Sequence, residues 1–268
     1  MRWRGLALAA LSAILGVASA QDLGEVPAGL LEAKPDPRPK VAIVIDDVGL
    51  DWVRFQSANR LPIPITLAFL PYGKDAQAML DSADPRHCLL LHMPMEPKRR
   101  KHDAGPGMVA RGTAQSVRKA TLANLEKLNG FSGVSNHTGS ALTENRPAMN
   151  AVLSTLKASG YFFLDSKTSP RSVASSVGAR TGAVVVEASL FLDGDFGSGG
   201  QVHVDRQLTK LMAIAERDGV AIGIGHPYPA TLSAVSAWSV AHAETLRFVT
   251  IDELAAEKRA ARRTDEAS

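Results

Sequence analysis

The stretch that decides the fold reads Lys40-Val41-Ala42-Ile43-Val44-Ile45-Asp46-Asp47-Val48-Gly49. Its apolar, largely β-branched run predicts a buried strand, and the strand ends in two adjacent aspartates. Neighbouring carboxylates repel each other unless a cation or a proton relieves the repulsion. In α/β folds the carboxyl ends of strands are also where ligands bind. We therefore expect Asp46 and Asp47 to reach a ligand site, although a pair that only bonds turn amides stays open as the alternative.

Strand-like and helix-like segments alternate from residue 41 onward. Strands are predicted over residues 41–45, 65–70, 88–92, 133–137, 161–165, 184–187, 220–225 and 247–251. Helices are predicted over residues 75–83, 114–128, 147–159, 172–180, 202–217 and 231–243. This alternation favours an α/β fold with a mostly parallel sheet and outer helices, and seven or eight such units can close into a barrel.

The two ends of the 268-residue chain differ from its middle. Residues 1–20 carry two arginines, an apolar run and a terminal Ala18-Ser19-Ala20, which predicts a signal peptide. An uncleaved anchor helix is the alternative, but the run is shorter than the ~20 residues that a span needs. Residues 21–39 predict a Pro-rich linker, 40–254 the folded domain and 255–268 a charged tail that extends a last helix. We expect an exported protein, periplasmic or secreted, without stable membrane insertion after cleavage.

Composition excludes several classes of function. The formal net charge is +3 and no basic stripe is interleaved with aromatic residues, so we expect no nucleic-acid partner. Cys88 is the only cysteine, which rules out an internal disulfide and a Cys-based zinc site. It lies in an apolar run and is predicted to be a buried small hydrophobe. Oligomeric state cannot be deduced from the sequence.

Polar residues with metal-binding or acid–base chemistry follow several of the predicted strands. Besides the aspartate pair, they are His92, Glu96, His137, Asp165 and His226. In a barrel these strand ends face the same side, so the residues converge on one mouth. Taken singly, each has a simpler interpretation: a satisfied core histidine, a local cap or a rigid exposed turn.

Carboxylates together with two neutral imidazoles form a suitable ligand set for a divalent metal with an open position. Zinc is the first choice for a site built from nitrogen and oxygen ligands. Water bound to such a metal has a pKa near 7, so hydroxide is available at neutral pH. A second carboxylate beside the metal is placed to act as a general base.

Several motifs, in order, resemble those of the divergent polysaccharide deacetylases, which are related to the NodB-homology carbohydrate esterases. They are Ile43-Val44-Ile45-Asp46-Asp47-Val48-Gly49, Pro64-Ile65-Thr66-Leu67-Ala68-Phe69-Leu70-Pro71, Leu91-His92-Met93-Pro94-Met95-Glu96-Pro97, Gly105-Pro106-Gly107, Asn136-His137-Thr138-Gly139-Ser140, Phe162-Phe163-Leu164-Asp165-Ser166 and Gly225-His226-Pro227-Tyr228-Pro229. The resemblance covers residues 40 to about 254 and implies a distorted, NodB-like (β/α) barrel with deacetylase activity.

The resemblance also implies roles for individual residues. Asp46 would be the catalytic base, Asp47 a metal ligand and His226 the general acid. The superfamily places two histidines four residues apart, whereas here His92 is followed at that spacing by Glu96. We therefore choose His137 as the second imidazole, with Glu96 and Asp165 as possible additional ligands. The superfamily's arginine-containing motif has no clear counterpart.

We hypothesise that the protein removes acetyl groups, N- or O-linked, from an exported or cell-wall polysaccharide with the help of a divalent metal. A catalytically silent glycan-binding or regulatory envelope protein on the same fold is the alternative, favoured by Glu96 in place of a histidine. A phosphorelay receiver or phosphatase also pairs aspartates after its first strand, but the export signal and the chain length disfavour it.

Overall fold

The structure is a computed structural model that describes residues 36–99, 104–194 and 200–267, with side chains described as far as Thr264. The compact unit runs from Pro37 to Ser268. The predicted signal peptide and residues 21–35 of the predicted linker lie outside the described residues. Within the described ranges, no helix is both long enough and apolar enough to cross a bilayer.

Strands and helices alternate along the described chain. The strands are β1 Lys40–Val48, β2 Thr66–Phe69, β3 Cys88–Met95, β4 Gly133–Thr138, β5 Phe162–Asp165, β6 Val185–Glu187, β7 Leu190–Phe191, β8 Val220–Gly225 and β9 Arg247–Phe248. The helices are α1 Trp52–Asn59, α2 Ala76–Asp81, α3 Ala114–Leu125, α4 Arg146–Ala158, α5 Ala174–Thr181, α6 Gly200–Asp218, α7 Pro229–Ala241 and α8 Ile251–Ala267.

The strands form one parallel sheet. Their order is β6-β5-β4-β3-β2-β1-β8-β7, and β9 pairs with β1. The segment between β6 and β7 connects the two edges of the sheet. Its Ala188 N donates to Asp165 O of β5, and its Ser189 N donates to Ile222 O of β8. This link lies between the two edges of the curled sheet. The predicted α/β fold, a distorted NodB-like barrel, is confirmed.

Successive side chains of each strand point to opposite faces of the sheet, and each face has its own hydrophobic cluster. The outer cluster combines strand residues such as Ile43 and Leu91 with residues from α1 to α7. The inner cluster combines the intervening strand residues, among them Val44, Leu90 and Ile224, with Ile251 and Ala255 of α8. The sheet is therefore packed on both faces, with the inner face closed by the C-terminal helix.

Helix α8 covers the amino-terminal end of the sheet. Ile251 N donates to Thr66 Oγ1 at the start of β2, and Arg262 Nη1 donates to Ala183 O just before β6. The predicted tail is helical as far as Ala267. Because α8 occupies the amino ends of the strands, their carboxyl ends remain for the site.

Two elements were not predicted. Helix α1 is short and carries few buried residues, but Asp51 caps it by accepting hydrogen bonds from Val53 N and Arg54 N. Strand β7 has only two residues, too few for a period-two pattern. Strands β1 and β3 also extend to Val48 and Met95, so the polar residues at their ends are held in the sheet.

Candidate metal and acid–base site

A bulge in β1 turns both aspartates toward the site. Ile45 pairs with Leu67 and Val48 with Phe69, so β1 has one more residue than β2 over this interval. Asp46 continues the inner face of Val44, and Asp47, which would otherwise point outward, has a left-handed backbone with φ 57°. The bulge is therefore what allows two consecutive carboxylates to face one place.

His92 continues the inner face of β3 after Cys88 and Leu90. Its Nε2 atom lies 3.5 Å from Asp46 Oδ2 and 3.4 Å from Asp47 Oδ1. Its Nδ1 atom lies 2.7 Å from Ser135 Oγ. The tautomer that donates Nδ1–H to Ser135 leaves the Nε2 lone pair facing the two carboxylates, an arrangement that calls for a cation between them.

His137 completes a three-residue group at the end of β4. Its Nδ1 atom lies 2.9 Å from Asp47 Oδ1, and its ring meets that of His92 edge to face with centroids 5.0 Å apart. One ligand atom each from Asp47, His92 and His137 lies within 4.8 Å of the others. Two ligands of a tetrahedral zinc ion with bonds of about 2.0–2.1 Å are roughly 3.4 Å apart, so these separations fit one small divalent ion.

Buried carboxylate oxygens support the same conclusion. Within the described chain, Asp46 Oδ1 is buried and accepts no hydrogen bond, and Asp47 Oδ1 is buried with only the imidazoles of His137 and His92 beside it. A buried carboxylate oxygen without a donor is costly unless an ion or a proton satisfies it. The residues present therefore fit a divalent metal.

The surroundings shift the pKa values of the two aspartates in opposite directions. Burial raises the pKa of Asp46, and the imidazoles of His92 and His226 only partly oppose it. Burial also raises the pKa of Asp47, but the imidazoles of His137 and His92 outweigh burial and hold it well below its ordinary value. Environments that separate the pKa values of two neighbouring carboxyls assign them different tasks. Asp46 therefore holds a proton more readily than Asp47 does.

His226 follows β8 and is oriented by a residue that the sequence analysis missed. Asp193 accepts a hydrogen bond from the His226 backbone amide, and its Oδ1 lies 2.8 Å from His226 Nδ1. Burial lowers the pKa of His226, but the Asp193 carboxylate, with smaller contributions from Asp47 and Asp46, raises it to about 9. His226 Nε2 lies 3.8 Å from Asp47 Oδ2. A protonated imidazole is therefore held beside the proposed metal ligands.

The remaining two candidates have other partners. Glu96 accepts two hydrogen bonds from the guanidinium of Arg111 and one from its backbone amide. Asp165 lies on the side of β5 that carries Phe163 of the outer cluster, and its Oδ1 accepts from Lys167 N. Neither belongs to the group formed by Asp47, His92 and His137.

The backbone is strained where strands meet the site. Asp47, Thr138 and Lys167 have φ values of 57°, 55° and 54°, and they lie at the ends of β1, β4 and β5 or just beyond. Non-glycine residues in this left-handed region cost free energy and persist where the surrounding structure fixes them. Thr138 is fixed because its Oγ1 donates to Met95 O and its carbonyl accepts from Asn136 Nδ2.

A model of the family described as divergent polysaccharide deacetylase matches residues 43–255. The chain belongs to this family. Two relatives support the assignment to the divergent polysaccharide deacetylases. An uncharacterised protein of Haemophilus influenzae Rd is 32% identical over 201 residues, 74% of this chain and 70% of the relative. The uncharacterised protein YibQ of Escherichia coli K12 is 31% identical over 198 residues, 72% of this chain and 60% of YibQ.

Solved structures share the fold of this member of the divergent polysaccharide deacetylase family. An uncharacterised protein from Agrobacterium tumefaciens C58 matches with a TM-score of 0.74 and 27% identity, over 82% of this chain and 90% of that chain. A proposed polysaccharide deacetylase from Mycobacterium smegmatis matches with a TM-score of 0.57 and 14% identity, over 85% and 93% of the two chains. The second likeness shows the common architecture alone.

Proposed function

We propose that this divergent polysaccharide deacetylase hydrolyses acetyl groups on a cell-envelope glycan, with zinc as its metal. The observation that carries the proposal is the meeting of Asp46 and Asp47 with His92 and His137 at one point. An acid–base residue, His226, lies on the other side of Asp47. This combination supplies a base, a metal site and an acid around one reacting carbonyl.

Asp47, His92 and His137 would hold the metal. When bound, a divalent ion there polarises the acetyl carbonyl and lowers the pKa of water. Ser135 keeps the His92 ring oriented, as hydrogen bonds to the second nitrogen of a ligand histidine do. The buried position of Asp46 keeps bulk water from competing for its carboxylate.

Asp46 takes a proton from the attacking water as the oxygen bonds to the acetyl carbon. Protonated His226 then donates a proton to the departing amine or hydroxyl as the acetyl C–N or C–O bond breaks, and acetate is released. Asp193 holds the His226 ring and stabilises its charged form, which keeps the acid loaded at neutral pH. The products are acetate and a glycan with one free amino or hydroxyl group.

Release of acetate from acetylated chitooligosaccharides and peptidoglycan fragments tests the proposal. Acetate should appear with zinc-loaded protein, disappear after chelation and return when zinc is added back. If no acetylated glycan yields acetate while metal analysis shows one bound ion per chain, the hydrolase proposal fails.

A silent glycan-binding protein is the second candidate, because Glu96 replaces a histidine of the superfamily's paired motif. The structure directs Glu96 to Arg111, so its carboxylate does not compensate for the lost imidazole. Glycan binding without acetate release, unchanged in Asp46→Asn, would favour this candidate. Loss of turnover with binding intact would favour the enzyme.

The proposal includes export, as residues 1–20 predict. Cell fractionation and N-terminal sequencing of the mature protein provide the test. A mature chain that begins at Gln21 and is found outside the cytoplasm is expected.

A further inference from the structure

A cleft opens beside the acid–base side of the site. It lies between the segment that follows β1 and the turn that follows β8, and its volume is about 120 Å³. Asp47 and His226 line it from the site, while Leu50, Arg54 and Tyr228 line it from the surrounding segments. This space accommodates several water molecules, and therefore a polar substituent of a glycan. We call it the Arg54 cleft.

The guanidinium of Arg54 has little of its bonding capacity in use. It stacks over the Tyr228 ring, 5.9 Å from the centroid, and its Nε lies 4.0 Å from Asp51 Oδ2, the outer limit of an ion pair. Asp51 is committed to capping α1 through its other oxygen. An exposed contact at this distance contributes little, and among the described residues the N–H groups of Arg54 donate to no carboxylate at hydrogen-bond distance.

Three other arginines of the described chain are bound differently. Arg86, Arg111 and Arg217 each donate two side-chain N–H groups to one carboxylate. Their guanidinium groups are therefore already bound by carboxylates of the protein. Arg54 instead presents its fork to a cleft that reaches the proposed reaction site, which is the placement expected of a receptor for a ligand anion.

One wall of the Arg54 cleft carries an exposed apolar side chain. Leu50 lines the cleft beside Asp51 and is 57% exposed. Trp52 and Val53, which follow in the chain, are 37% and 73% exposed, so this segment presents apolar surface to solvent next to Arg54. A cation beside apolar surface suits an acidic sugar.

We infer that Arg54 binds an anionic substituent of the acetylated glycan, a carboxylate or a phosphate, and so makes this protein selective for acidic over neutral glycans. The inference rests on the proposed function for the glycan nature of the ligand. It adds a substrate class and a specificity-determining residue. A carboxylate and a phosphate would both accept hydrogen bonds from the Arg54 guanidinium, and oligosaccharides that carry one or the other distinguish them.

Matched oligosaccharides test the inference. Acetylated oligomers of equal length, either neutral, carrying one carboxylate or carrying one phosphate, are offered to zinc-loaded full-length protein. Binding is measured by calorimetry on an Asp46→Asn background, so that nothing is consumed, and kcat and KM are measured separately on the background with Asp46. The variants are Arg54→Gln, Arg54→Lys and the control Arg118→Gln, an exposed arginine on α3 outside the Arg54 cleft.

The protein should bind one acidic oligomer roughly 10-fold or more tightly than the neutral one, as charge-assisted hydrogen bonds allow. Arg54→Gln should bring the acidic-to-neutral ratio close to one through KM, Arg54→Lys should restore part of it, and Arg118→Gln should leave it unaltered. Equal binding of neutral and acidic oligomers, or a preference that survives Arg54→Gln, would overturn the inference. An Arg54-dependent preference without acetate release would instead defeat the deacetylase proposal and leave this one standing.

Discussion

Asp193 holds His226 at two points, through the imidazole Nδ1 at 2.8 Å and through the backbone amide at 2.8 Å. Thr231 Oγ1 donates to the same carboxylate at 2.7 Å, so Asp193 itself has a fixed orientation. The ring also stacks nearly parallel to Phe191, with centroids 6.5 Å apart. The imidazole is thus fixed in position and its charged form is favoured before any substrate arrives.

Asp193→Asn should lower the pKa of His226 from about 9 toward the ordinary value near 6.5, because an amide does not stabilise imidazolium. NMR titration of the metal-free protein measures this directly. His226 has a raised folded-state pKa, so its stabilisation is complete below the unfolded pKa and is lost as pH rises through about 9. The stability difference between the two proteins should therefore be largest below about pH 6.5, up to roughly 3 kcal/mol.

The control for this titration is Thr231→Val, which removes a hydrogen bond to Asp193 without removing its charge. It should shift the pKa of His226 less than Asp193→Asn does. A His226 titration near 6.5 in the unaltered protein would contradict the ion pair.

Asp46→Asn and Asp47→Asn should separate turnover from metal binding. Asp46→Asn removes the proposed base and should lower kcat by about 10²–10⁴-fold with zinc still bound. Asp47→Asn removes a ligand and should weaken zinc by more than the 10–100-fold typical of outer partners. Asparagine tolerates the left-handed backbone at position 47, so the bulge should persist. Acetate assays and zinc titration distinguish the variants, and identical defects in both would contradict the assigned division of roles.

Ser135→Ala should weaken zinc binding about 10-fold or more, because His92 loses the hydrogen bond that orients its ring. Ser132→Ala, three residues earlier and exposed, is the matched control. Competition against a zinc-sensitive dye gives the affinity. Equal zinc affinity in the two variants would show that Ser135 does not position a ligand.

Glu96→Gln should leave zinc affinity unchanged, since Arg111 already holds the carboxylate away from the group of ligands. His137→Gln should weaken zinc strongly, because it removes a ligand. The two variants distinguish whether Glu96 or His137 takes the place of the histidine that is missing from the paired motif. A zinc defect in Glu96→Gln as large as that in His137→Gln would assign the position to Glu96.

Sequence patterns predicted the fold and the convergence of Asp46, Asp47, His92, His137 and His226 for one physical reason. In a parallel sheet all carboxyl ends lie at one edge, so residues far apart in the chain meet when each follows its own strand. The buried environment of Cys88 followed equally from its apolar neighbours, and its side chain is 3% exposed.

Other features depend on contacts that no local pattern encodes. Asp193 follows the two-residue strand β7, which has no detectable period, although an aspartate directly after a short apolar run was the available signal. The partner of Glu96 was unpredictable because Arg111 approaches it from a separate loop. Asp165 was predicted to join the site because it lies at the carboxyl end of β5. The alternation of side chains along β5 places it instead on the face that carries Phe163, away from the site.

The position of β1 has a consequence for the order of folding. Lys40 pairs with Val220 and Ile45 with Gly225, so β1 is flanked by a strand that lies 180 positions later in the chain. Pairing over such a separation is slow, since a long loop must close before any contact rewards it. The carboxylates of β1 therefore reach their native surroundings only after β8 has been synthesised, and a chain that stopped before β8 would carry both aspartates in an incomplete site.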